Sequence, residues 1–300
     1  MKRESFGSRL GFILVSAGCA IGIGNVWKFP YICGAYGGAA FILIYLCFLV
    51  ILGIPVLVAE FAVGRGSHTS VAKCFDKLAP AGSGWKPLKF IGIIGCYMLM
   101  MFYTTVGGWM IYYCVKSLRG DFVGATPEAV TQSFSDMLGN APTMMLWMVI
   151  ICLIGFAVCF MGLQNGIEKI SKVMMSALLI IMVILAVHSV MMEGAGEGIR
   201  FYLIPDFQKI KEAGVGNVVF AALSQSFFTL SIGIGAMLIF GSYLDKSRSL
   251  TGEAVSITVL DTFVALTAGF IIIPACFSYG IQPDAGPSLI FITLPIFLQR

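Results

Sequence analysis

Charge is what this sequence has least of. Asp, Glu, Lys and Arg make up 11% of its 300 residues, 58% are hydrophobic, and the mean hydropathy is +0.94. A soluble domain carries roughly 25% charged residues, so a surface facing water on all sides is excluded. Histidine is nearly absent, at two residues, His68 and His188. The nine cysteines (19, 33, 47, 74, 96, 114, 152, 159 and 276) are scattered, with no C-x-x-C pair among them. These patterns give neither a metal site nor a disulfide framework, and the cysteines read as small apolar residues of helix packing. H-E-x-x-H and G-x-S-x-G do not occur, and no other paired catalytic constellation does, so the reading is not an enzyme. No N-x-S/T sequon occurs either, which fits a bacterial plasma membrane.

Long apolar runs are abundant. They fall at about 10–35, 39–64, 88–118, 143–161, 167–190, 215–243 and 253–280, each near or above the ~20 residues that a helix needs to cross hydrocarbon. The expectation is an integral membrane protein with seven spans. The first run is too long for a signal peptide, has no small-residue cleavage pattern and leads into a second span, so it stays in the mature protein. Lys2, Arg3 and Arg9 precede the first span, and Arg65, Lys73, Lys77, Lys86 and Lys89 lie between the second and third. The positive-inside rule therefore puts the N-terminus in the cytoplasm. The segment 119–142 sets Asp121, Glu128 and Asp136 against Arg119, as suits an outer loop. The net charge of +4 thus reports topology and does not point to a nucleic-acid partner. The third span is unusually long and should tilt or cross near the bundle centre. Residues 191–214 are too polar to span and read as an outer loop with a short surface helix; 65–88 has room for another. The final stretch, PSLIFITLPIFLQR, stops in mid-element and reads as part of a longer chain.

Two spans are interrupted in the same way. Residues 20–25 read AIGIGN and residues 231–236 read SIGIGA, near the middle of the first and sixth runs. Unwound backbone at membrane depth is tolerated only where protein buries it or it lines a cavity. If five spans form one repeat and the sixth begins the next, the breaks occupy corresponding positions, the mark of an inverted-repeat transporter. Each break frees carbonyls at the end of one half-helix and N–H groups at the start of the next, giving a negative and a positive pole at one depth. A zwitterion and a sodium ion can be held there, with Asn25, Thr229 and Ser231 adding oxygen ligands of the hard type.

The stretches GNVWKFPY (24–31), GIPVLVAEFAVGR (53–65), FYTTVGGW (102–109) and QSFFTLSIGIGA (225–236) resemble the neurotransmitter:sodium symporter family, in order along essentially the whole chain. The resemblance implies an all-α integral membrane protein of the leucine-transporter fold. That is an inverted-repeat transporter fold of about twelve helices with discontinuous helices 1 and 6. This sequence would hold the first seven and be truncated before helix 8. Residues 1–190 would form the first repeat with transmembrane helices 1 to 5, and 191–214 an outer loop. Residues 215–300 would begin the second repeat, with helices 6 and 7 and part of the following outer loop.

The same resemblance supplies site residues. One sodium site would use the Ala20 carbonyl, the Asn25 and Thr229 side chains, Asp261 and the substrate carboxylate. A second, present only in part, would use the Gly18 and Ile21 carbonyls. The substrate would meet Ala20, Gly22, Gly24, Leu99, Tyr103, Phe228, Thr229, Ser231 and Ile234, with the Tyr103 hydroxyl on its carboxylate and Phe228 closing over it. Asp261, where many members have Asn, stands eight residues beyond Glu253, roughly 12 Å into the seventh span. A carboxylate that deep is costly and functional by default. In chloride-dependent members the ion sits near positions matching Tyr45, Gln225, Thr229 and a serine that is Ala265 here, so the Asp261 charge would replace it. Gating falls to Lys28, Arg3, Tyr243 and Glu60. Lys28 replaces the usual arginine, a point charge for a planar fork. Phe6 stands where a tryptophan usually follows Arg3, and Ser176 stands where many relatives have a proline ten residues after the glycine matching Gly166.

Gly22 matches an aspartate of the amine carriers, so the substrate must bring its own carboxylate. The implied activity is sodium-coupled, chloride-independent import of a neutral aliphatic or aromatic L-amino acid. Co-transported Na+, the amino acid and the lipid bilayer are the partners, with no organic cofactor and no nucleic acid; oligomeric state is not legible. A truncated non-transporting subunit of the same fold and a proton-coupled amino acid transporter stay open as alternatives.

Overall fold

The computed structural model describes residues 6–280 together with residues 291, 292 and 295. Ser8, in extended conformation, caps α1 (Arg9–Ala20) by accepting the Gly11 N–H. After a break, α2 (Gly24–Ala35) leaves at 55° to α1, opening with a wide π turn over Gly24–Lys28. The chain continues through α3 (Ala39–Ser67), the short amphipathic α4 (Val71–Leu78) and the long α5 (Leu88–Arg119). Next come α6 (Pro127–Gly139), capped by Thr126, then α7 (Ala141–Phe160) and α8 (Leu163–Val190). Two short helices follow, α9 (Ala195–Leu203) and α10 (Phe207–Ala213). The last elements are α11 (Val215–Thr229), α12 (Ala236–Gly241) and α13 (Leu250–Ser278).

Among the described residues, five continuous helices are long and apolar enough to cross a membrane, or six when α1 and α2 count as one bent span. The sixth expected run, 215–243, is divided: α11 stops at Thr229 and α12 starts at Ala236. Two details differ from the sequence reading. The segment 119–142 contains a helix, α6, that its mixed polarity hides. The expected surface helix within 191–214 is two helices, and α9 is no surface element, since Tyr202 is 2% exposed, seats against Gly269 and donates to the Leu266 carbonyl at 2.9 Å.

The hub is α13. It packs against α1, α2, α3, α8 and α9 and carries most of its apolar length buried, whereas α7 has no fully buried residue and packs along α5 at the edge of the bundle. Without a hydrophobic force between helices in lipid, small residues and close backbone approach hold such a bundle. Between α3 and α12 the fit depends on Gly64 and Gly241. A Cβ on Gly64 would overlap the Leu238 carbonyl, and one on Gly241 would stand 2.6 Å from the Phe61 Cα. Gly241→Val is therefore expected to destabilise the protein by about 1–3 kcal/mol, the usual cost of overpacking, read as a lowered Tm in detergent; an unchanged Tm would show that α12 can move aside.

Candidate functional site

The two breaks meet against the middle of α13. At the first, α1 ends on an extended Ile21, and the Asn25 side chain folds back to accept the Gly22 N–H at 3.3 Å. The Asn25 amide nitrogen then donates to Asp261 Oδ1 at 2.8 Å, to the Asp261 carbonyl at 3.2 Å and to Thr229 Oγ1 at 3.2 Å. The Thr229 hydroxyl donates to Asp261 Oδ2 at 2.7 Å. Asn25, Thr229 and Asp261 are each 0% exposed. Each carboxylate oxygen thus has one neutral donor, and none of the bonds to it comes from a cationic side chain. A buried carboxylate in that condition is neutralised either by a bound cation or by a proton.

At the second break the chain turns through residues whose backbone is left-handed: Ser231 (φ 52°), Gly233 (φ 93°) and Gly235 (φ 78°). For Ser231 this costs backbone strain that a glycine would not suffer. Its hydroxyl donates to the Cys19 carbonyl at 3.1 Å, tying the second break to the last turn of α1. Glu60 on α3 accepts the Gly233 N–H at 2.6 Å through one oxygen and the Leu238 N–H at 3.2 Å through the other.

Other sequence-nominated residues surround this centre. Gln225 donates to the Gly24 carbonyl at 3.0 Å. Tyr45 is fully buried with its hydroxyl outside hydrogen-bonding geometry, near Thr229, Thr262 and Asp261, and Ala265, one turn past Asp261, is fully buried as well. A Cβ on Gly22 would meet the Tyr103 ring at 3.7 Å and its hydroxyl at 3.8 Å, ordinary contact distances, whereas a Cβ on Gly24 would press to 2.8 Å against the Phe228 ring. Lys28 holds its ammonium 4.0 Å from the centre of that ring, a cation–π contact. Ile234 lies against α5, its carbonyl accepting Cys96 Sγ at 3.3 Å and its side chain close to Gly95, one turn before the half-buried Leu99. Ala20 and Ile21 are buried, and Gly18 packs on Met175 of α8. Ser176 is exposed on α8, which runs unbroken past it.

Not everything converges. Tyr243 lies apart from this centre, its ring edge-on to Phe6 at 5.7 Å, and Arg3 falls outside the described residues. Sequence reasoning passed over Thr262 beside Tyr45 and used Glu253 only as a marker of depth. It missed Glu168 altogether, although a carboxylate at the mouth of an apolar run was a signal in plain view.

The profile of the sodium:neurotransmitter symporter family matches residues 3–129 and 128–296. The chain belongs to this family. It is 36% identical over 299 residues to the uncharacterized sodium-dependent transporter YhdH of Bacillus subtilis (strain 168), covering 100% of this chain and 65% of that protein. It is 28% identical to the sodium-dependent serotonin transporter of Drosophila melanogaster, covering 98% of this chain and 54% of that one. Its fold is similar to the crystal structure of MhsT in complex with L-phenylalanine, with a TM-score of 0.91 and 38% identity over 99% of this chain and 66% of MhsT. The chain thus spans just under two thirds of YhdH and MhsT. The family is one of sodium-coupled transporters, not enzymes, and the fold is the all-helical inverted-repeat architecture of its members.

In this symporter-family chain, the 2.7 Å bond from Thr229 is the shortest on Asp261. Thr229→Val keeps the shape and leaves Oδ2 without a donor, so a loss of about 1–3 kcal/mol is expected, measured as a drop in Tm in sodium-free detergent solution. An unchanged Tm would show that the carboxylate is not held there.

Proposed function

We propose that this chain carries the binding site of a sodium-coupled secondary transporter that imports a neutral aliphatic or aromatic L-amino acid by alternating access, independently of chloride. The observation that carries the proposal is the fully buried cluster of Asn25, Thr229 and Asp261 where two broken helices meet. Sodium is cargo in this reading. It sits between the Ala20 carbonyl, Asn25, Thr229, Asp261 and the carboxylate of the substrate, while Gly18 and Ile21 offer carbonyls to a second ion. The substrate ammonium faces freed carbonyls of the breaks. Its carboxylate meets Tyr103, and its side chain meets Leu99, Phe228, Ser231 and Ile234. Gly22 carries no side-chain charge and lies beside the Tyr103 hydroxyl, which supports a substrate that brings its own carboxylate, and the L-phenylalanine bound by MhsT supports an apolar side chain.

Asp261 with Ala265 supports chloride independence, because a fixed negative charge then occupies the region where other members place the ion. Coupling follows from differential affinity: sodium and substrate bias the broken helices and their neighbours between outward-facing and inward-facing arrangements only as far as they bind one better than the other. Residues 1–190 and 215–300 belong to two repeats in this reading, joined by 191–214, in a plasma membrane with the N-terminus cytoplasmic. Lys28 and Phe228 close the outer side, and Glu60 steadies the second break.

Two experiments test the reading on the full-length gene product in proteoliposomes. Uptake of labelled leucine, phenylalanine, tyrosine or tryptophan should collapse when sodium is replaced by potassium or choline, and tyramine should not compete with tyrosine. Undiminished uptake on a proton gradient alone would make the protein a proton-coupled carrier, and equal affinity for tyrosine and tyramine would remove the carboxylate argument. Replacing chloride by gluconate should leave uptake unchanged, whereas Asp261→Asn should lower it by about 10-fold or more; adding Ala265→Ser to that variant should restore activity only with chloride present.

A further inference from the structure

Two buried carboxylates lie outside the candidate site. Glu168 is 3% exposed and Glu253 2%. They sit on different elements, Glu168 closing the π turn (Leu163–Glu168) that opens α8, and Glu253 in the first turn of α13. Both turn toward the same short segment. Glu168 Oε2 accepts the Gly7 N–H at 2.8 Å, and its Oε1 accepts the Ser8 hydroxyl at 3.2 Å and the Lys172 ammonium at 2.6 Å. Glu253 Oε1 accepts Arg9 Nε at 2.9 Å. Ser8 is also the residue that caps α1, through the Gly11 N–H at 3.0 Å. Gly11 in turn faces Glu168 so closely that a Cβ there would overlap the carboxylate.

From this arrangement we infer that Glu168 and Glu253 are positioning residues that clasp the first turn of α1 between α8 and α13 and so set where its far end, at the candidate site, stands. A carboxylate out of water must keep its donors or become costly. Two of the three donors on Glu168 come from residues 7 and 8, so any swing of the start of α1 strips it to Lys172 alone. Glu253 likewise loses its guanidinium, and its second oxygen, buried without a partner, has nothing in reserve. The π turn has a part in this: one extra residue per turn re-aims the side chain that follows it, and Gly166 within it lets the turn pass against the Val158 carbonyl. Ala20 stands eleven positions beyond Arg9 along a single helix. A small rotation at the clasp becomes a displacement of the Ala20 and Ile21 carbonyls. The clasp itself does not depend on the transport reading; its consequence for sodium does.

Hydrogen exchange measured by mass spectrometry on the full-length protein tests the clasp directly. Glu168→Gln removes the charge, and Gly11→Ala keeps the charge but displaces it, so the two reach the same contact by different routes. Each should speed exchange in a peptide covering residues 6–12 by about 10-fold, the worth of one to two hydrogen bonds, while exchange in α5 stays as in the wild type. The double variant should exceed neither single by much, and Glu253→Gln should add to both. Exchange at residues 6–12 unchanged in both Glu168→Gln and Gly11→Ala would overturn the proposal. In uptake, the same variants should raise the sodium concentration for half-maximal transport; a lowered maximal rate with an unaltered sodium requirement would reduce the carboxylates to structural residues and overturn the positioning role. A wild type that takes up amino acid without sodium would count against the transport reading and leave the exchange result standing.

Discussion

Backbone hydrogen bonds that cannot be handed over to water are the constraint on which this structure turns. In hydrocarbon every N–H and C=O must find a partner within the protein, and two apolar spans of this chain nevertheless leave helical geometry near their middles. The consequences spread outward from those points. Side chains replace missing helical partners: Asn25 for the Gly22 amide, Ser231 for the Cys19 carbonyl, Glu60 for the Gly233 and Leu238 amides, while Gln225 gives a second donor to the Gly24 carbonyl that the Phe29 N–H already meets. Asn25 and Gln225 are themselves buried, and the Asn25 amide is satisfied in turn by Thr229 and Asp261. That is why polar residues gather at one depth of a molecule otherwise poor in them.

The same logic explains the role of α13. Its buried face holds Asp261 beneath both breaks, and its lower and upper turns receive Arg9 and Tyr202 from opposite ends of the fold. A helix in that position cannot shift without disturbing the site, the start of α1 and the helix Ala195–Leu203 together. Among the described residues, the ion pairs Arg9–Glu253 and Lys172–Glu168 stand at the starts of α1, α13 and α8, and Lys89–Asp76 joins α5 to α4.

Much of the architecture was legible from residues alone, because the signals that carry it are local. Apolar runs of the right length mark spans, and paired glycines beside Asn25 and Thr229 mark the breaks. The family resemblance rested on contiguous words such as GNVWKFPY, and the family profile matches across the whole of that territory. What escaped was non-local or geometric. The helix Pro127–Gly139 has alternating polarity that reads as loop, and its Thr126 cap passes unnoticed in a polar stretch. Tyr202 looks like an interfacial aromatic until Gly269, 67 positions on in sequence, provides the notch for its ring. Glu168 and Gly7 are 161 residues apart, and no spacing rule joins them. The π turns at Leu49–Gly53 and Leu163–Glu168 leave no sequence signature beyond a glycine.

Glu60 has a consequence of its own. Because its carboxylate already occupies the Gly233 and Leu238 amides, those groups are not free to seek carbonyls one turn back, and the segment between α11 and α12 cannot anneal into continuous helix. The opening in the sixth span therefore exists before anything arrives to fill it. A ligand entering there meets a shape already made and loses none of its affinity to unwinding the chain, which is the benefit of preorganisation. The residues that face the opening can then change while the opening itself stays in the keeping of Glu60.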